Sequence, residues 1–471
     1  MITKITTNQN ELLADWQKEI ANFSTKTFCI LPWIHFTTRT NGDMRLCCVS
    51  NASGIDQDIF DAGLVKNDTG KYANFQLDTL RNEWNNDYMK SVRKIMLDGK
   101  IPSSCVKCFN EEKLGMTSKR VWETLHWKNE IDIPALITNT DDGKIPTRVL
   151  YIDLRLGHDC NLKCVMCGPT DSSRWVTDHK KMQPLINHNK IISQQMAWDE
   201  NSFNNKWYEN TLFWDELHQQ IPYIKQLNFA GGEPLLIKNH KLFIKSIIDS
   251  GYSGNIMLKY NTNGLFIDEE MIELWIQFKK VQIGVSLDAV GDRNYYIRFP
   301  SNWDIIVQNL IKLDNTPDNI EVTIACALQI LNIKHIADFI KWKITQKFKK
   351  INNAIRERGI MVGGGILNVH FVYMPTYLDM RILPQKDKDE ITGIFAELKH
   401  WLWHNYTQDT AFWETNPYGW QRWEAVLNFL HSDDKSENLI NFKEYITSLD
   451  KIRNLNSLEY FPELSHLIGE P

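Results

Sequence analysis

The sequence predicts an α/β fold. Six strand–helix units between residues 147 and 376 form an open, partial barrel, with a small cysteine-rich α+β metal domain before it and a helical extension after it. Three observations predict this. Strand-like and helix-like runs alternate, as a parallel sheet with right-handed crossovers requires. Every strand keeps one polar face, whereas parallel strands covered on both sides are apolar throughout. Eight of the nine cysteines fall in tight clusters, a pattern of metal binding rather than of disulfides in a chain without a secretory leader.

A length of 471 residues implies two or three domains, and 17 Trp, 21 Phe and 15 Tyr supply ample apolar surface for their cores. The net charge of −5 disfavours a dedicated nucleic-acid binder, whose domain carries a basic surface. The opening MITKITTNQNELLADWQKEI has no apolar core of a signal peptide, and no run approaches the length of a membrane span. The expected location is cytoplasmic.

Residues 1–22 read as an amphipathic helix. The metal domain is expected over 23–125. It holds an extended stretch from Phe28 to Thr40, a hairpin turn at Asn41-Gly42-Asp43, a helix over 77–98 ending at Gly99, and the knuckle Cys105-Val-Lys-Cys108. A linker, 126–146, leads to the barrel. Strands are predicted at 148–156, 224–230, 255–262, 281–288, 320–330 and 366–375, and helices at 239–250, 268–279, 303–314 and 334–349. The segment 169–222 is an insert, and 377–471 is a Trp-rich extension with helices at 388–407, 417–431 and 439–453.

Alternation along each strand aligns Tyr151, Asp153 and Arg155 with Gln226, Asn228, Lys259, Asn261, Ser286, Asp288, Gln329 and His370 on a common polar side. Such a lumen calls for a ligand. Arg155, Lys259, Gln329 and His370 are the side chains there that could touch it. Cys326 shares the apolar face of its strand and reads as a buried structural thiol, and the basic run Lys341–Lys350 as the solvated face of an outer helix.

The chemistry is concentrated at Cys160-x3-Cys164-x2-Cys167, directly after the first barrel strand. Three thiolates in eight residues can hold three irons of a cubane and leave the fourth open. This spacing resembles the radical SAM superfamily. So does Gly231-Gly232-Glu233-Pro234 after the second strand, similar to the family's GGEP segment that receives the amino group of S-adenosylmethionine (SAM). Asn261-Thr262-Asn263-Gly264 and Ser286-Leu287-Asp288 resemble its TNG turn and ribose-contacting segment. The resemblance covers 148–375 and implies a TIM-like (β/α)6 partial barrel. Met166 departs from the aromatic often found before the last cysteine, and the gap from Cys167 to Gly231 is longer than usual.

Cys29, Cys47, Cys105 and Cys108, with Pro32-Trp33, resemble the Twitch or SPASM auxiliary-cluster domain, here placed before the barrel instead of after it. The resemblance implies a second [4Fe-4S] cluster. Four thiolates suit zinc equally well, and Cys48 rivals Cys47 as the ligand. What the family resemblance implies as a whole is reductive cleavage of SAM at a [4Fe-4S] cluster to a 5′-deoxyadenosyl radical. That radical would abstract hydrogen from a peptide or protein side chain or a small metabolite, with electrons from a donor such as flavodoxin or ferredoxin. The rival readings are a non-enzymatic iron–sulfur or zinc scaffold, which has no need of a SAM site, and modification of a nucleotide or nucleic acid.

Overall fold

The computed structural model describes residues 9–50, 63–113, 118–203, 206–352, 354–357, 360–364, 366–406 and 419–469. Among the described residues there are ten strands: β1 His35–Thr38, β2 Met44–Arg45, β3 Tyr151–Arg155, β4 Gln226–Ala230, β5 Met257–Thr262, β6 Lys280–Ser286, β7 Ile320–Leu328, β8 Ala354–Glu357, β9 Ile360–Gly364 and β10 Asn368–Phe371. All six predicted barrel strands are there, each shorter than expected. The helices Lys238–Asp249, Glu269–Ile276, Trp303–Asp314 and Ile336–Thr345 fall within the predicted stretches or a residue outside them. Two of them start where a side chain caps the first turn: Asp268 accepts the Met271 N–H, and Asn302 the Ile305 N–H. The fold is mixed α/β with mostly parallel strands.

The chain forms two compact units, each discontinuous in sequence. The first comprises 1–157, 201–231 and 242–256, the second 158–200, 232–241 and 257–471. In the first, β1 pairs antiparallel with β2 and parallel with β3, and β3 pairs parallel with β4. The predicted hairpin therefore exists, and it also contributes a strand beside the first barrel strand, His35 opposite Tyr151 and Thr37 opposite Asp153. In the second unit β5, β6, β7 and β10 run parallel in that order. Burial alternates strictly along β6, with Val281, Ile283 and Val285 buried and Gln282, Gly284 and Ser286 half-exposed. The polar face is present there as parity demands.

Several expectations need correction. Leu31–Ile34, expected to be extended, is a helical turn, with Pro32 in its first positions where proline is pre-organised. The helix over 77–98 is two helices, Leu80–Glu83 and Asp87–Leu97. Asn86 breaks the run because its side chain accepts the Met89 N–H and starts the second helix. Lys343, expected on a solvated face, is 1% exposed, and burial lowers its pKa to about 7. Residues 1–8 of the N-terminal helix lie outside the described residues, and so do 417–418; the observed helices are Gln9–Phe23, Gln385–Tyr406, Gly419–Leu430 and Leu439–Arg453. Among the described residues no helix is long and apolar enough to cross a membrane.

Candidate iron–sulfur and cofactor site

The cysteine triad sits on a loop of the second unit. Cys164 is buried, Cys160 and Cys167 half-buried. The Leu162 N–H points at Cys160 Sγ at 3.4 Å. Burial, and then the neighbouring Cys164, push the Cys160 thiol up to about 12. Cys167 donates to Cys164, which with nearby Arg298 draws the Cys164 thiol down. Crowded thiols that resist ionisation together are stabilised as thiolates by a bound cation. The residues present thus suit a cluster held by three sulfurs.

Arg298, which the sequence reading missed, stands at the centre of this site. Its Nη1 is 4.0 Å from Cys164 Sγ, and its Nε lies 2.7 Å from Asp288 Oδ2. Asp288 is 1% exposed, and its other oxygen accepts the Ala327 N–H at 2.7 Å. Asp288, a candidate for contact with a ribose, is a buried counter-ion in this structure; a carboxylate this deep must be paired. Burial raises its pKa, while Arg298 opposes the rise.

Glu233, the other motif carboxylate, is held by protein donors. It is fully buried and binds protein: Oε1 accepts from the Thr262 hydroxyl (2.9 Å) and the Leu235 N–H (3.2 Å), Oε2 from the Asn263 N–H (2.7 Å). Burial raises its pKa to about 7. This carboxylate thus staples two loops. The neighbouring glycine explains the pairing: a Cβ on Gly232 would stand 2.3 Å from the Asp159 carbonyl, next to which the Glu233 N–H donates to that same oxygen. Pro234 starts the short helical turn that Glu233 caps. Gly231 has φ +124°, open to glycine but strained for other residues. Asn263 Nδ2 donates to Asn161 Oδ1 at 2.7 Å, tying the turn after β5 to the residue next to Cys160.

The remaining candidates divide. Asn261 is exposed, and Ser286 and Lys259 are half-exposed on the polar face, as parity predicts. His370 is exposed. In the first unit Arg155 is partly exposed, with Nε 3.4 Å from Asp153. Gln329 is fully buried, just beyond the end of β7 in a turn closed by Asn332, so it does not line the polar face. Thr262, quoted in the sequence only as part of the turn after β5, was not read as a partner of Glu233; it lies on the buried face of its strand with Tyr260, and a buried hydroxyl needs such an acceptor.

In the first unit a second site forms. Cys29, Cys47, Cys105 and Cys108 line one cavity together with Lys119 and Arg120. Cys48 is not among the lining residues. Burial raises the Cys29 thiol well above its usual range, followed by Cys105 and Cys47, and pushes Cys47 up to about 12. Backbone N–H groups of Leu31, Val49 and Arg120 favour the thiolates of Cys29, Cys47 and Cys108. Among the described residues no three His, Cys, Asp or Glu side chains are grouped for a single metal ion. Four thiols around one cavity suit the sulfur ligation of a cubane and of zinc alike.

Residues 154–343 match the family model of the radical SAM superfamily. This stretch, less than half of the chain, is a radical SAM domain, and the family implies a [4Fe-4S] cluster and SAM. No curated protein matches the chain. Among solved structures it is similar to TYW1 with a lysine–pyruvate adduct bound, at 15% identity and TM-score 0.27 over 51% of this chain and 70% of that one. It is also similar to native anSMEcpe with bound AdoMet and a peptide, at 16% and 0.29 over 46% of this chain and 54% of that one. A third is SuiB of Streptococcus suis, at 13% and 0.31 over 74% and 66%.

Proposed function

We propose that the chain is a radical SAM enzyme with a second iron–sulfur centre, acting on a peptide or protein side chain or a small metabolite. The observation that carries this reading is the triad loop itself. Within the matched stretch, Cys160, Cys164 and Cys167 share one loop whose neighbours Arg298, Asn161 and Asn263 are fixed by hydrogen bonds and an ion pair. Three sulfurs leave one iron for a ligand.

The bound cluster would supply the electron that cleaves the sulfonium of SAM to methionine and a 5′-deoxyadenosyl radical. The protein's own residues do the rest. Cys160, Cys164 and Cys167 hold the cluster. Arg298 places a half-buried positive charge beside Cys164. Glu233, through Thr262 and Asn263, keeps the segment after β4 against the turn after β5. Asn261, Ser286 and Lys259 present polar groups to a ligand on the face they share. Cys29, Cys47, Cys105 and Cys108 hold the second centre, fully ligated by protein and so suited to moving electrons.

The test is anaerobic reconstitution followed by reduction with dithionite in the presence of SAM. The expected product is 5′-deoxyadenosine, and Cys164→Ala abolishes it. A wild type that binds SAM yet never cleaves it under reduction would sink the proposal.

A further inference from the structure

We propose that the C-terminal helix Leu439–Arg453 and the insert helix Trp175–Ile186 belong to the cluster site. Arg453, Tyr445 and Trp175 act as positioning residues that hold the cysteine loop by its carbonyls. The inference rests on the radical SAM reading for its purpose, though not for its geometry.

The middle of the triad loop presents three consecutive carbonyls, and each is taken by a side chain from outside the loop. Arg453 Nη2 donates to Lys163 O at 2.7 Å, Trp175 Nε1 to Cys164 O at 2.8 Å, and Tyr445 Oη to Val165 O at 2.7 Å. On the other side the Lys163 and Val165 N–H groups donate to Phe299 O (2.7 Å) and Ile297 O (2.8 Å). Carbonyls in a helix or sheet are satisfied by their own element. This loop has no such ladder: apart from the Cys167 N–H, which also donates to Cys164 O at 3.1 Å, these carbonyls take their partners from outside the loop.

The clamp is itself locked. The Arg453 side chain is 1% exposed, with Nε 2.8 Å from Asp178 Oδ2. Its guanidinium lies over Trp175 at 4.8 Å and Phe299 at 5.2 Å. Asp178, on the insert helix, also pairs with Lys163 Nζ at 2.7 Å. A planar fork that bonds a carbonyl and a carboxylate while stacked on rings is not replaceable by lysine. Every group in the clamp is protein, so the loop's shape is set before any iron arrives. The insert and the extension, which the sequence left without a role, both close on this one loop.

The test uses the full-length chain with two variants. Tyr445→Phe deletes a single hydroxyl from a buried ring, and Arg453→Met removes the fork; Lys451→Ala, on an exposed position of the same helix, is the control. In metal-free protein, amide exchange over residues 160–168 should quicken about tenfold in Tyr445→Phe, the effect of one lost hydrogen bond, with the melting temperature held within a few degrees. After anaerobic reconstitution, Arg453→Met should lose about four irons per chain from the triad and keep the four-cysteine centre. Arg453→Lys should not restore them. In Tyr445→Phe the reduced triad cluster should keep its iron but show a shifted midpoint potential and electron paramagnetic resonance spectrum. Unchanged exchange, or equal loss of iron from both centres in step with unfolding, overturns the inference. A wild type that never takes up iron on the triad refutes the radical SAM reading instead, and the exchange comparison still decides the clamp.

Discussion

The Glu233 carboxylate accepts the Asn263 N–H at 2.7 Å, so the segment after β4 and the turn after β5 share one buried anchor. The same carboxylate serves the Thr262 hydroxyl and the Leu235 N–H. Glu233→Ala leaves three donors, two of them buried, without an acceptor. At about 1–3 kcal/mol for each orphaned group, partly offset by relief of the buried carboxylate, it should cost about 3–5 kcal/mol in urea unfolding of the metal-free protein. A loss below about 1 kcal/mol would show that the anchor does not hold the loops.

Glu233 should also make stability depend on pH in an unusual direction. Burial raises its folded-state pKa from an ordinary 4.5 to about 7. The contribution of the neutral carboxyl is then fully present below about pH 4.5 and is lost as pH rises through about 7. The stability of the wild type relative to Glu233→Gln should therefore fall between pH 5 and 8, read from paired thermal melts. A difference that stays flat or rises over that range contradicts the assignment.

Arg298 and Asp288 form an ion pair whose carboxylate is fully excluded from solvent while the guanidinium is half-buried. Arg298→Met strands that carboxylate and should cost about 3–5 kcal/mol. Adding Asp288→Asn should recover most of the loss, since it removes the stranded charge. In reconstituted protein the loss of a positive charge beside Cys164 should also lower the reduction potential of the triad cluster. A double variant as unstable as the single one would show that the pair is not the cause.

The four-cysteine cavity predicts an iron count. Wild type should take up about eight irons per chain, and Cys105→Ser, which removes one lining thiol, should fall toward four. Cys48→Ser should leave the count unchanged, because Cys48 does not line the cavity. Wild type holding about four irons and one zinc would instead make the first-unit site a zinc knuckle.

Much of this was legible in the sequence, for identifiable reasons. Strand parity placed Asn261, Ser286 and Lys259 on the polar face because a strand's period of two is insensitive to its surroundings. It failed at Gln329 because β7 ends at Leu328, and parity means nothing past the last ladder bond. The motif residues Glu233, Asn263 and Asp288 were found, but the pairing of Glu233 with Thr262 and of Asp288 with Arg298 was not. Thr262 and Arg298 reach them by contacts across 29 and 10 positions of the chain, which no local pattern encodes. The insert and extension were invisible as site elements for the same reason: Arg453 and Lys163 meet across 290 positions.

The parallel pairing of β1 with β3 bears on any attempt to isolate the barrel. A cut in the 126–146 linker would remove His35–Thr38 and leave β3 with a bare row of N–H and C=O groups. Tyr151, Ile152 and Leu154, all at or below 1% exposure, would flank it. A long apolar edge of that kind recruits further strands from other molecules. The cysteine-rich segment thus guards against self-association, and a shortened chain should be recovered as aggregate even when its triad loop is intact.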